Sequence, residues 1–113
     1  VVKETIDYGI MEGATDTVVI PIDIGWSDVG SWASLLDILE PDEHGNVVIE
    51  GKHLNVDSKG LLISSKKLVA TIGVSNLVIV DTDDALMICS REKSQDVKKI
   101  VERLQQEKKA EYL

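Results

Sequence analysis

Between residues 47 and 88, six short aliphatic runs recur at near-even spacing, and nothing else in the chain restricts its fold as much. They begin at Val47, Leu54, Leu61, Leu68, Leu77 and Ala85, 7 to 9 residues apart. Each is three or four residues long and rich in Val, Ile and Leu, side chains that suit a pleated, half-buried backbone. Turn formers separate them: His44-Gly45-Asn46, Asp57-Ser58-Lys59-Gly60, Ser75-Asn76 and Asp81-Thr82-Asp83-Asp84. Such spacing predicts a sandwich, a barrel or a small β-solenoid, and the short strands favour the solenoid, whose sides stack around a narrow core. The period is not a strict hexapeptide, so the coil should be irregular. With 43% hydrophobic residues, 4% aromatic ones and no Phe, that core must be aliphatic.

Upstream the texture differs. Residues 17–24, Thr-Val-Val-Ile-Pro-Ile-Asp-Ile, are apolar almost throughout, as in a strand buried on both faces. Pro21 cannot donate to a ladder, which puts that strand at an edge or bends it. The string Gly25-Trp26-Ser27-Asp28-Val29-Gly30-Ser31-Trp32 follows, with both tryptophans, two glycines and one carboxylate in eight residues. A carboxylate between glycines on a strand-to-helix connection is a frequent place for chemistry in α/β proteins. Ser31 is expected to cap a helix whose Trp32, Leu35, Leu36 and Leu39 share one face, and Pro41 to end it. Residues 5–12 read as a short packing helix with Thr5 as N-cap, Ile6, Ile10 and Met11 on one side, and Gly13 as its stop.

One strand between two helices cannot close a core. Residues 1–41 are therefore expected to be the C-terminal edge of a larger α/β domain, and residues 42–113 a β-rich extension. The start at Val1-Val2, without Met, agrees with a piece of something longer. Residues 94–109 form an amphipathic pattern with Val97, Ile100, Val101 and Leu104 as its stripe and Ser94 as N-cap. This helix is expected to cap the open end of the β stack or, alternatively, to bind a partner helix.

The formal charge is −8, with 15 acidic and 5 basic residues before position 91 and 5 acidic and 7 basic ones after it. An acidic body repels phosphate backbones, which argues against nucleic-acid binding, although a bound metal can still bring a nucleotide to it. No apolar run approaches the ~20 residues of a membrane span, and nothing resembles a signal peptide. The lone Cys89, in an apolar run, reads as a small buried hydrophobe, and the absence of a possible intrachain disulfide fits a cytoplasmic setting. His44 and His53 read as solvated. Asp81, Asp83 and Asp84 lack the glycine and distal glutamate of a calcium loop and read as a solvated corner. No Ser/His/Asp arrangement and no glycine-rich phosphate loop can be argued.

Asp28 stands apart because of the string around it. Asp23-Ile24-Gly25-Trp26-Ser27-Asp28-Val29-Gly30-Ser31-Trp32 resembles the motif near the end of the catalytic domain in sugar-1-phosphate nucleotidylyltransferases, most closely the mannose-1-phosphate guanylyltransferases. Thr5-Ile6-Asp7-Tyr8-Gly9-Ile10-Met11-Glu12 is similar to that family's Ser-Ile-Asp-Tyr-Ala-Val-Met-Glu segment, with Thr for Ser at position 5 and Gly for Ala at position 9. Asp57-Ser58, residues 77–85 and Lys98-Lys99-Ile100-Val101 match in order and spacing, so the resemblance covers nearly the whole chain.

That resemblance implies the end of a nucleotide-diphospho-sugar transferase α/β domain followed by an irregular, left-handed β-helix-like domain with a C-terminal helix. It implies transfer of a guanylyl group from GTP to mannose 1-phosphate, giving GDP-mannose and pyrophosphate. The attacking phosphate, with a second pKa of about 6, is largely ionised at neutral pH and needs no general base. Charge repulsion and alignment are the obstacles, which Mg²⁺ addresses by bridging phosphates. On this chain the family's metal-ligand role falls to Asp28, with Gly25 and Gly30 letting the backbone approach the phosphates. Trp26 and Trp32 are expected to pack the turn. The other metal Asp, the triphosphate loop and the guanine-reading groups should lie upstream, so residues 1–113 alone are expected to be inactive. Two alternatives stay open. Residues 45–113 could be a non-catalytic assembly module in a homo-oligomer, or the chain could precede the isomerase domain of a bifunctional enzyme.

Overall fold

The computed structural model describes residues 4–112, apart from the side chain of Ala110. Its packed body contains four strands: β1 (Val47–Val56), β2 (Leu62–Ile72), β3 (Leu77–Asp81) and β4 (Leu86–Ser90). They form one sheet in the order β1-β2-β3-β4, parallel across the first two pairs and antiparallel across the last.

The six short runs are thus joined into four strands. β1 continues past residue 49 because register shifts between Val48 and Lys52 let the chain turn a corner without breaking the ladder with β2. Gly51 sits in that corner at φ +91°, and a Cβ there would collide with the Ser65 carbonyl oxygen. Only glycine allows the two coils to approach so closely. Past the corner, Lys52, Leu54 and Val56 lie beside Leu68, Ala70 and Ile72. The stack therefore comprises two two-sided coils and the first side of a third, where β4 turns back.

The coil period is visible in the backbone. Left-handed residues recur at Gly45, Gly60 and Asn76, 15 and 16 residues apart. Gly60 N–H donates to the His44 carbonyl at 3.3 Å, and Asn76 N–H to the Lys59 carbonyl at 3.0 Å. Each corner is thus bonded to the one below it. The second corner is tied the same way, Gly73 N–H donating to the Val56 carbonyl at 2.8 Å.

Side chains stack in ladders on both faces of the first side. Val47, Leu62 and Val78 are in register, and with Val80 they form a buried cluster covered by Leu35, Leu36, Met87 and Cys89. On the inner face Leu61, Ile63 and Ile79 pack with Val69, Val74 and Leu77. Each such aliphatic side chain contributes about 1.5–3 kcal/mol by leaving water. Polar groups close the corners. Asn46, 1% exposed, accepts from Leu61 N–H at 3.0 Å through Oδ1 and donates through Nδ2 to Asp42 and to the Ser58 carbonyl. His53, expected to be solvated, instead points inward, its Nε2 2.8 Å from Thr71 Oγ1.

Helices are shorter than the sequence suggests. Trp32–Asp37 is a 3₁₀ helix, not an α-helix running to Leu39, and Ser31 makes no side-chain cap. So short a stretch ahead of Pro41 leaves too little length to repay α-helix nucleation. Residues Asp7–Met11 form one π-helical turn entered from Ile6, without a Thr5 cap. Arg91–Asp96 is 3₁₀, and α1 (Val97–Gln106) starts only after Asp96, so Ser94 is a buried turn residue rather than the N-cap. Ile100 of its stripe is 60% exposed.

Residues 17–24 form no strand. Val18, Val19, Ile20, Ile22 and Ile24 are all at least two-thirds exposed, and no residue from 4 to 30 is buried. A strand needs a neighbour to pair with, and among the described residues none reaches this run.

Candidate functional site

The Asp28 turn is built from glycine freedom at one end and a helix start at the other. Gly25 has φ +64°, which no β-branched residue would adopt readily, and its N–H lies 3.4 Å from Asp23 Oδ1. Gly30 sits beside the carboxylate, a Cβ there standing 3.8 Å from Asp28 Oδ2. Ser31 is extended, its Oγ 3.1 Å from Ser34 Oγ, and the 3₁₀ helix begins at Trp32. Asp28 is exposed, and its carboxylate has no hydrogen-bond or ion-pair partner among the described residues. Both glycines thus lie on the turn with Asp28. Trp32 is 38% exposed and packs in part, whereas Trp26, at 76%, stays largely in solvent.

The downstream end of the turn is anchored. Leu35 and Leu36 cover the outer cluster of the sheet, and Arg91 Nη2 donates to Asp37 Oδ1 at 2.6 Å. A cleft of about 660 Å³ opens between Gly30, Ser31 and Trp32 on one wall and Ser94, Gln95 and Lys98 on the other. Nothing in the sequence pattern signals the Arg91–Asp37 pair, because its partners are 54 residues apart and each looks like an ordinary surface charge.

No group of three or more His, Cys, Asp or Glu among the described residues could hold a metal. Mg²⁺ takes one or two protein carboxylates and fills its octahedron with water and phosphate oxygens. The donor set here fits one ligand of such a shared site and not a closed one.

The other carboxylate clusters are structural. Asp81 accepts from Ser65 Oγ at 2.8 Å and Lys67 Nζ at 3.0 Å, and Lys67 and Ser65 hold its carboxyl below the usual range. Partial burial alone would raise the Asp42 carboxyl, but the N–H groups of Asn46 and His44 outweigh it and bring it below its ordinary value. The Asp81–Asp84 corner is closed by Thr82, whose Oγ1 donates to Asp84 and accepts from Ala85 N–H. Cys89 is half-buried rather than fully buried as expected; it packs on the outer cluster, and that burial pushes its thiol up. No helix among the described residues is long and apolar enough to cross a membrane.

Residues 51–104 match the family model of the MannoseP isomerase/GMP-like β-helix domain. Over 96% of its length the chain is 48% identical to mannose-1-phosphate guanylyltransferase from Klebsiella pneumoniae and 47% identical to that of Escherichia coli. It spans 23% of the length of either relative. A solved protein of Thermus thermophilus, described as a mannose-1-phosphate geranyltransferase, superposes with a TM-score of 0.73 at 35% identity, over 88% of this chain and 30% of that one. The chain is thus similar, at residues 51–104, to the β-helix domain of the MannoseP isomerase/GMP-like family, and over nearly its whole length to about a quarter of a mannose-1-phosphate guanylyltransferase.

Proposed function

We propose that this chain is the C-terminal part of a guanylyltransferase that forms GDP-mannose and pyrophosphate from GTP and mannose 1-phosphate in the cytoplasm. The observation that carries the reading is the similarity, 48% over 96% of the chain, to a relative of that activity. The bare run at residues 17–24 supports it. Such an apolar segment costs free energy in water and suits a strand at the edge of an α/β sheet supplied from upstream.

In this reading Asp28 is one Mg²⁺ ligand, and Gly25 and Gly30 let the turn approach the phosphates. Mg²⁺ would offset phosphate charge during in-line attack. Asp28 meets the demand for an exposed carboxylate with no partner among the described residues, and its turn stands on the anchored helix Trp32–Asp37. The chain alone supplies one ligand and no triphosphate loop, so it has no activity by itself.

The test is GDP-mannose and pyrophosphate formation by the full-length protein with GTP, mannose 1-phosphate and Mg²⁺. Wild-type protein should turn over, residues 1–113 should not, and Asp28→Asn should cut turnover by about 10²-fold or more, as loss of a metal ligand does. Unchanged turnover in Asp28→Asn would remove Asp28 from the site.

A second role, assembly, is favoured by one surface. Leu54, Val56, Leu68 and Ile72 point outward from the second side of the coils and are 47–74% exposed. Such an apolar sheet face suits a second copy of the protein.

A further inference from the structure

The helix Trp32–Asp37 starts where the Asp28 turn ends, and its packing comes from the β-helix side of the molecule. Leu35 and Leu36 rest on the cluster of Val47, Leu62, Val78 and Val80. Asp37 is held by Arg91, and Arg91 is itself fixed by its N–H, which donates to the Asn76 carbonyl at 2.8 Å. That carbonyl belongs to the third of the stacked left-handed corners. On the other side of the turn, residues 4–30 bury nothing. Among the described residues the turn is therefore gripped at one end only, and the β-helix corner supplies the grip.

We propose that Arg91, acting through Asp37, is a positioning residue for the Asp28 carboxylate, so that the β-helix domain sets the geometry of the metal site. The inference rests on Asp28 being a metal ligand. Trp32, 38% exposed, and the two adjacent leucines hold one face of the helix against the rest of the molecule. The ion pair, at the last residue of the helix, adds a separate, directional point of attachment. Asp28 is four residues from the first residue of the helix, so where the helix is fixed sets where the turn that carries the carboxylate ends. Losing the pair would widen the set of positions the carboxylate samples and weaken the metal, leaving groups that hold the sugar and base untouched.

The test uses the full-length protein and Mn²⁺ alone as probe, with free ion counted by electron paramagnetic resonance, beside steady-state kinetics. Arg91→Ala and Asp37→Ala should each weaken Mn²⁺ binding about two- to fivefold, the coupling range of an exposed ion pair. Turnover should fall by a similar factor at limiting metal while KM for GTP and for mannose 1-phosphate stays unchanged. Arg91→Lys, and the reversed pair Arg91→Asp with Asp37→Arg, should recover most of the loss. Alanine variants that bind Mn²⁺ as wild type does, or a reversed pair no better than either single change, would overturn the proposal. Asp28→Asn separates the two ideas. If it abolishes Mn²⁺ binding while the Arg91 variants match wild type, only the positioning role fails; if it leaves binding intact, the metal-ligand reading fails with it.

Discussion

Gly51 carries more of the fold than its size suggests. It is left-handed, and its missing Cβ is where the Ser65 carbonyl oxygen passes in the next coil. Gly51→Ala must either move that carbonyl or open the β1–β2 ladder, and should cost about 3 kcal/mol or more, measurable by urea unfolding. Carboxylates at the corners and on the C-terminal helix add a pH dependence. Asp42 and Asp81 have carboxyls held below their ordinary values, and Glu107 is brought to about 2 by Lys109 and Arg103. In acid the unfolded chain takes up these protons before the folded one does. The stability they contribute is complete above the ordinary carboxylate range and is lost as pH falls through the folded values. Thermal melts from pH 6 to pH 2 should show this decline below about pH 4, and Asp42→Asn should make it shallower. A melting temperature flat across that range would refute the assignment.

At the scale of elements, the strands are held by ladders of equivalent positions in successive coils. Leu62 lies between Val47 and Val78 and is fully buried. Leu62→Ala should cost about 3 kcal/mol, a large share of the stability of so small a core, and should be read by urea unfolding monitored by circular dichroism. Leu54→Ala, on the exposed outer face, should cost less than about 1 kcal/mol by the same measurement. The aliphatic runs, their spacing and the turn residues between them were legible in the sequence. What was not legible is that adjacent runs join around a corner, because a bulge depends on which carbonyl of a neighbouring coil comes near. The site was legible in the same uneven way. Gly25, Asp28 and Gly30 announce themselves as a local string, whereas the Arg91–Asp37 pair exists only because two distant segments meet on one face of the sheet.

The whole molecule is more extended than its length warrants. Its radius of gyration is 18.6 Å, against about 13 Å for a close-packed chain of this size. Residues 4–30, none of them buried, add length without adding a packed core. In the full-length enzyme proposed above, a sheet supplied from upstream would cover them. The contact proposed for a second copy is the outer face of Leu54, Val56, Leu68 and Ile72. In the full-length protein, Leu54→Lys with Ile72→Lys should shift sedimentation velocity toward monomer without changing the circular dichroism spectrum. An unaltered sedimentation profile would exclude this face as the contact.

Taken alone, the sequence determined whatever is carried by local pattern: an aliphatic coil of short strands, turn chemistry at its corners, and one carboxylate framed by glycines. Pattern suffices there because alternation, turn propensity and glycine φ are properties of neighbouring residues. Tertiary structure decided the rest. It joined six runs into four strands, turned His53 inward onto Thr71, shortened the helices, and tied the helix beyond Asp28 to the β-helix domain through Arg91. It also left residues 17–24 bare. Each of these depends on which surfaces meet across tens of residues, and a strand with no partner in reach cannot form from its own sequence. The Asp28 turn was visible from the start; what holds it in place was not.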